Sequence, residues 1–154
     1  MNCPFCGAPM HPDGETFKCD YCKSVFVPDK NDEGVRVLGE ASGQNCPVCD
    51  IPLMQATLTR LSILSCTKCR GMLVPMGAFQ VLIDQMREEH PDLVVAEPPV
   101  NPAELRRVIA CPKCRSRMEA HFYAGPGRVV IDSCETCLLI WLDHGELSRI
   151  AHAP

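Results

Sequence analysis

The sequence predicts a small, mostly β fold of the α+β kind, repeated three times in tandem. Three observations predict it. Twelve cysteines fall into six Cys-x-x-Cys pairs with none left over. The pairs group into three sets: Cys3/Cys6 with Cys19/Cys22, Cys46/Cys49 with Cys66/Cys69, and Cys111/Cys114 with Cys134/Cys137, with 12, 16 and 19 residues between the pairs. Between them lie short β-prone runs broken by turn residues, the pattern of hairpins.

Each Cys-x-x-Cys can wrap a tight turn that offers two thiolates to one metal, and a hairpin need only bring the second pair to the first. Paired motifs at this spacing are a specific signal for a four-cysteine zinc site. The predicted ligands are Cys3, Cys6, Cys19 and Cys22; Cys46, Cys49, Cys66 and Cys69; Cys111, Cys114, Cys134 and Cys137. Four sulfurs around a tetrahedral Zn²⁺ leave no open position, so three structural zinc ions per chain are expected and no catalytic one. The fold class is therefore a small metal-stabilised β (α+β) fold of three tandem four-cysteine zinc ribbons, the second and third each followed by a short helix.

Size supports the need for metal. The 154 residues divide into units of about 30–45, below the size at which apolar burial alone suffices. Only 5% of residues are aromatic. Metal-binding energy then becomes folding energy. The N-terminus, Met1 to Cys6, carries neither a charged n-region nor an apolar h-region, and no apolar run reaches membrane-spanning length. A reduced, cytoplasmic metalloprotein is expected in place of a disulfide scaffold. The formal charge is −4; twelve thiolates add −12 and three Zn²⁺ add +6, giving −10 for the loaded chain. Such a charge gives no general attraction for phosphate backbones.

In chain order, residues 1–27 form the first ribbon, with a turn at Pro12-Asp13-Gly14 and short strands at 16–18 and 25–27. Gly7, directly after Cys6, suits a positive φ. Residues 28–45 are polar and turn-rich and read as a linker with one short strand at 35–38. Residues 46–90 hold the second ribbon, a hairpin over 54–64 broken near Arg60, and a helix in which Phe79, Leu82, Ile83 and Met86 make one apolar face. Residues 91–110 are a proline-rich linker ending in a short helix capped by Asn101, with Pro102 at its first position and Glu104 at its third. Residues 111–154 form the third ribbon, with strands at 118–123, 128–131 and 138–142 and a short C-terminal helix.

The repeat extends beyond cysteine. Met10, Leu53 and Met118 each lie four places after a first pair. After the last cysteine, Gly77 matches Gly145, Phe79 matches Leu147 and Leu82 matches Ile150. Each helix should pack on its own ribbon, and the linkers allow the ribbons to fold independently. Phe5 and Tyr21, inside the first knuckles, are expected to cover their metal site. Basic residues beside the knuckles, such as Lys68, Arg70, Lys113 and Arg115, stabilise thiolates. Arg106 and Arg107 read as a solvated pair. The five histidines, His11, His90, His121, His144 and His152, are surplus to the ligand sets and read as surface groups.

Cys111-Pro112-x-Cys114-x₃-Met118, followed by Cys134-x-x-Cys137-x₃-Trp141-Leu142-Asp143-x-Gly145-Glu146-Leu147, resembles the transcription factor IIB-type zinc-ribbon family of bacterial transcription-factor zinc-finger domain proteins. Residues 46–83 resemble it in part, and 3–27 match only a generic ribbon. The family carries Gly-Gly after its last cysteine, where this chain has Leu138-Leu139 and Arg70-Gly71. The resemblance implies zinc binding. A non-enzymatic protein-interaction adaptor is the expected function, with a protein as partner and no membrane. A nucleic-acid-binding or transcription-related regulator is the alternative, and a rubredoxin-like iron electron carrier a minor one.

Overall fold

The computed structural model describes residues 1–154. The first ribbon is a three-stranded antiparallel sheet of β1 (Met10–Asp13), β2 (Thr16–Cys19) and β3 (Val25–Phe26), in that order. Its turn is left-handed at Gly14 (φ 63°), and the Thr16 hydroxyl donates to the Asp13 carbonyl at 2.9 Å. The core is small: Met10 and Phe17 with the buried Cys3 and Cys19.

Residues 28–45 carry more structure than their composition suggests. β4 (Arg36–Asn45) pairs with β5 (Pro52–Leu58) along its length, with two register shifts. Gly39 and Gly43, both at positive φ, lie within those irregular stretches. A bulged edge strand with no fully buried residue does not alternate cleanly, so its polar, glycine-rich sequence resembles a linker. β5 turns into β6 (Leu61–Ser65) through Thr59 and Arg60, both left-handed as a two-residue hairpin loop requires. β7 (Met72–Pro75) and α1 (Met76–Glu89) follow.

The linker to the third unit ends in α2 (Pro102–Arg106), where the Asn101 side chain accepts from the Ala103 amide at 3.0 Å, the cap expected from sequence. β8 (Glu119–Phe122), β9 (Val130–Cys134), β10 (Leu139–Leu142) and α3 (Glu146–Ala151) complete the chain.

The second and third ribbons are not independent. They share one seven-stranded sheet in the order β4-β5-β6-β7-β10-β9-β8. The joint is the antiparallel pair β7–β10, with Trp141 opposite Leu73. Leu73 lies four residues after Cys69 and Trp141 four after Cys137. The two repeats therefore meet at their own equivalent position, related by a local two-fold. Pairing these strands removes two exposed sheet edges at once.

The helices obey the same symmetry. Phe79, Leu82 and Ile83 of α1 and Leu147, Ile150 and Ala151 of α3 are all buried in one core with Leu58, Ile63, Ile131 and Leu142. Each stripe is core, as expected, but core of a joint body: α1 and α3 also touch each other, and the Arg87 side chain donates to the Ala151 carbonyl at 2.9 Å. One merged core buries both stripes, which two ribbons of about 40 residues would bury poorly alone.

The first ribbon touches this body lightly. Leu38 of β4 packs on its core, and the Arg60 amide donates to the Glu15 carboxylate at 3.1 Å. Between them lies a cleft of about 530 Å³ lined only by polar and charged residues, among them Lys30, Arg36, Glu88 and Glu89.

Candidate metal centres

Every knuckle is built the same way. The residue after each second cysteine is left-handed: Gly7 (φ 75°), Lys23 (62°), Asp50 (54°), Arg70 (60°), Arg115 (64°) and Leu138 (55°). In five of the six, its amide donates to the carbonyl of the first cysteine at 2.8–2.9 Å, closing a tight loop. Only the first has glycine at this place. The exception is the Leu138 knuckle: the Leu138-Leu139 departure from Gly-Gly keeps the left-handed backbone, with a leucine in the glycine's role, but not the closing bond.

These turns gather the predicted ligands into the three predicted sets, with all Sγ atoms of a set within 4.8 Å of one another. Zn–S bonds of about 2.3 Å in a tetrahedron set sulfurs about 3.8 Å apart. The separations include Cys3–Cys22 at 3.6 Å, Cys6–Cys19 at 3.5 Å, Cys46–Cys69 at 3.7 Å and Cys114–Cys134 at 3.7 Å. A disulfide needs about 2.05 Å, and all twelve cysteines are free. The geometry thus fits one zinc ion per set, and the chain carries three structural zinc sites.

Amide hydrogen bonds soften the sulfur charge in the second site, where Val48 and Cys49 donate to Cys46 Sγ at 3.4 and 3.3 Å and Gly71 to Cys69 Sγ at 3.4 Å. Without metal, the thiols of a site do not ionise together. The backbone of Ser116 holds Cys114 down at about 6, while burial and its sulfur neighbours push Cys137 up to about 12. The zinc charge is what allows all four to be thiolates.

The second and third sites are joined through one apolar cluster. Leu53, Leu73, Ile109, Met118 and Trp141 pack there with Cys46, Cys66, Cys111 and Cys134. Trp141 is fully buried, and its ring lies across Gly71 of the second ribbon. Its indole N–H donates to Asp143 at 3.2 Å, and Asp143 and the buried Asp132 both bind Arg107, at 2.8 and 2.7 Å. Arg107 is thus a structural clamp and not a solvated cation. Glu146 reaches back to the Asp143 amide at 2.8 Å.

The first site differs. Cys6 and Cys22 are exposed, whereas no ligand of the other sites is more than partly so. Phe5 and Tyr21 do not cover it: they stand 75% and 80% exposed. The knuckle position they occupy points outward, and the first ribbon is too small to fold over it.

The histidines take no ligand position. His144 bridges Asp32 and Glu33 at 3.0 and 2.9 Å, docking the 31–35 turn onto the third ribbon, and Glu33 also accepts from the Gly145 amide at 2.8 Å. His152 is buried beside His90 instead of lying on the surface. Asp143 and Glu146 stand in the motif quoted above, the sequence signal for their part of this network. The long-range partners Asp32, Glu33 and Arg107 had none.

Residues 110–153 match the family model of the transcription factor zinc-finger. The matched stretch, Ala110 to Ala153, takes in the third ligand set, Trp141, Asp143 and Glu146. The middle unit is its partner by the β7–β10 two-fold. No curated protein and no solved structure matches the chain.

Proposed function

We propose that the chain is a non-enzymatic protein-interaction adaptor, with zinc holding its shape. The observation that carries this reading is the pair of exposed aromatics on the first ribbon. Phe5 and Tyr21, with the exposed Val25 and Val27, offer apolar surface on an acidic chain, and exposed aromatics of this kind favour protein contacts. Saturated four-sulfur sites leave the metals no position for substrate. No helix is long and apolar enough to cross a membrane.

A nucleic-acid-binding regulator is the second reading. It is favoured by Lys68, Lys113, Arg115 and Arg117, which are exposed and take part in none of the ion pairs. Two measurements on zinc-loaded protein separate them. Filter binding to mixed-sequence DNA and RNA across a salt series should show little retention at any salt for an adaptor, and affinity falling steeply with salt for a nucleic-acid binder. Affinity capture should recover protein partners with the wild type and lose them with Phe5→Ala/Tyr21→Ala. Partner recovery unaffected by that change would count against the aromatic surface.

A further inference from the structure

The three metal sites have the same ligands but not the same protection. In the second and third, a buried apolar cluster shared by both ribbons backs the sulfurs, and no ligand cysteine is fully exposed. In the first, two of the four cysteines are exposed, and the aromatics that would shield them point away. Exposed thiolate is where oxidants act first.

We propose that the N-terminal four-cysteine site is an oxidant-accessible modification site: hydroperoxides convert its thiolates to disulfides, expel the metal and undock the first ribbon, while the other two sites persist. The exposed Cys22 Sγ has Cys3 Sγ at 3.6 Å, and the exposed Cys6 Sγ has Cys19 Sγ at 3.5 Å. Each accessible sulfur thus has a resolving sulfur beside it. Ser24 Oγ bridges the first pair, 3.0 Å from Cys22 and 3.2 Å from Cys3.

The chemistry balances with the peroxide as sole oxidant. The exposed thiolate attacks one oxygen of hydrogen peroxide, the O–O bond breaks, and one hydroxide leaves, giving a sulfenic acid that carries the attacked oxygen with its hydrogen. The neighbouring thiolate attacks that sulfur, forms the S–S bond and expels a second hydroxide. Two electrons pass from two thiolates to one peroxide, and two protons from solvent turn the hydroxides to water. The two remaining thiolates cannot hold zinc as four did. Little else keeps the ribbon in place: its core is four buried residues, two of them ligands, and it meets the body through Leu38, one Glu15 bond and a polar cleft.

The test uses the zinc-loaded full chain with hydrogen peroxide. Zinc release is followed with a chromophoric indicator, thiols are mapped by differential alkylation and mass spectrometry, and Trp141 fluorescence reports the body. One zinc should leave at least about ten-fold faster than the other two. The thiols lost in that phase should belong to Cys3, Cys6, Cys19 and Cys22, with Trp141 emission unchanged. A thiol reductant plus zinc should restore the site. Release of all three ions at one rate, or early loss of thiols from the other two sets, would overturn the proposal. Sulfinic acids at Cys6 and Cys22 that no thiol reductant reverses would overturn its disulfide step.

Discussion

A β-carbon on Gly71 would overlap Cζ2 of Trp141. The two residues come from different ribbons, so this contact shows how closely the second and third units are fitted. The tryptophan that identifies the third ribbon in sequence sits on the backbone beside Cys69 of the second.

Gly71→Ala should therefore act as overpacking at a joint and not as a local turn defect. Gly71 is not at positive φ, so the backbone itself tolerates alanine. The expected loss is about 1–3 kcal/mol. The chain has one tryptophan, so denaturant titration followed by its fluorescence reads this joint directly.

Arg107→Ala removes the only cation that bridges Asp132 and Asp143. Asp132 is 2% exposed and would be left as a buried carboxylate without its partner. A loss of about 2–3 kcal/mol is expected at neutral pH, moderated because Arg107 itself keeps 30% exposure. Thermal melts of the zinc-loaded variant check this. A variant within 0.5 kcal/mol, about the scatter of surface changes, would return Arg107 to the solvated role its sequence suggested.

Glu146 gives a pH signature. Burial, with Asp143 nearby, raises its carboxyl from 4.5 to about 8. The folded chain then holds a proton that the unfolded chain releases above about 4.5. This contribution to stability is full below the unfolded value, falls as pH rises through the interval, and is lost above about 8. Glu146→Gln keeps an acceptor for the Asp143 amide and removes the titration. Between about pH 6 and 8.5, where zinc stays bound, wild-type stability should decline and the variant's curve should be flatter, with the variant the more stable at the alkaline end.

Much of this was legible from the cysteines. Their spacing named all three ligand sets, and the offsets from each last cysteine paired Phe79 with Leu147 and Leu82 with Ile150. What the repeat could not say is that the equivalent strands would pair with each other. Nothing in the sequence ties Leu73 to Trp141, because strand pairing is a long-range choice without a local motif. Only the start of β4 was legible, as the strand expected at 35–38; beyond it Gly39 and Gly43 make bulges, and bulges erase the alternation by which strands are recognised. Arg107 reads as solvated in the sequence because its carboxylate partners lie 25 and 36 residues further along the chain.

Leu138 offers a subtler check. A leucine held at φ 55° costs roughly 1 kcal/mol over glycine there, partly offset by glycine's freer unfolded chain. Leu138→Gly should therefore raise stability by about 0.5 kcal/mol. Chemical denaturation at matched zinc would show it, and a loss of more than about 1 kcal/mol would mean the exposed side chain packs on something else.

Three structural zinc ions thus support two bodies, a lone first ribbon and a fused pair. Metal analysis of protein purified without added metal, followed by chelator competition with Trp141 fluorescence read in parallel, tests this most directly. Three zinc ions per chain are expected, lost in two phases: one ion without a fluorescence change, then two together as Trp141 becomes exposed. Three unlinked phases, a tryptophan change in the first, or a red iron chromophore in place of zinc would contradict it.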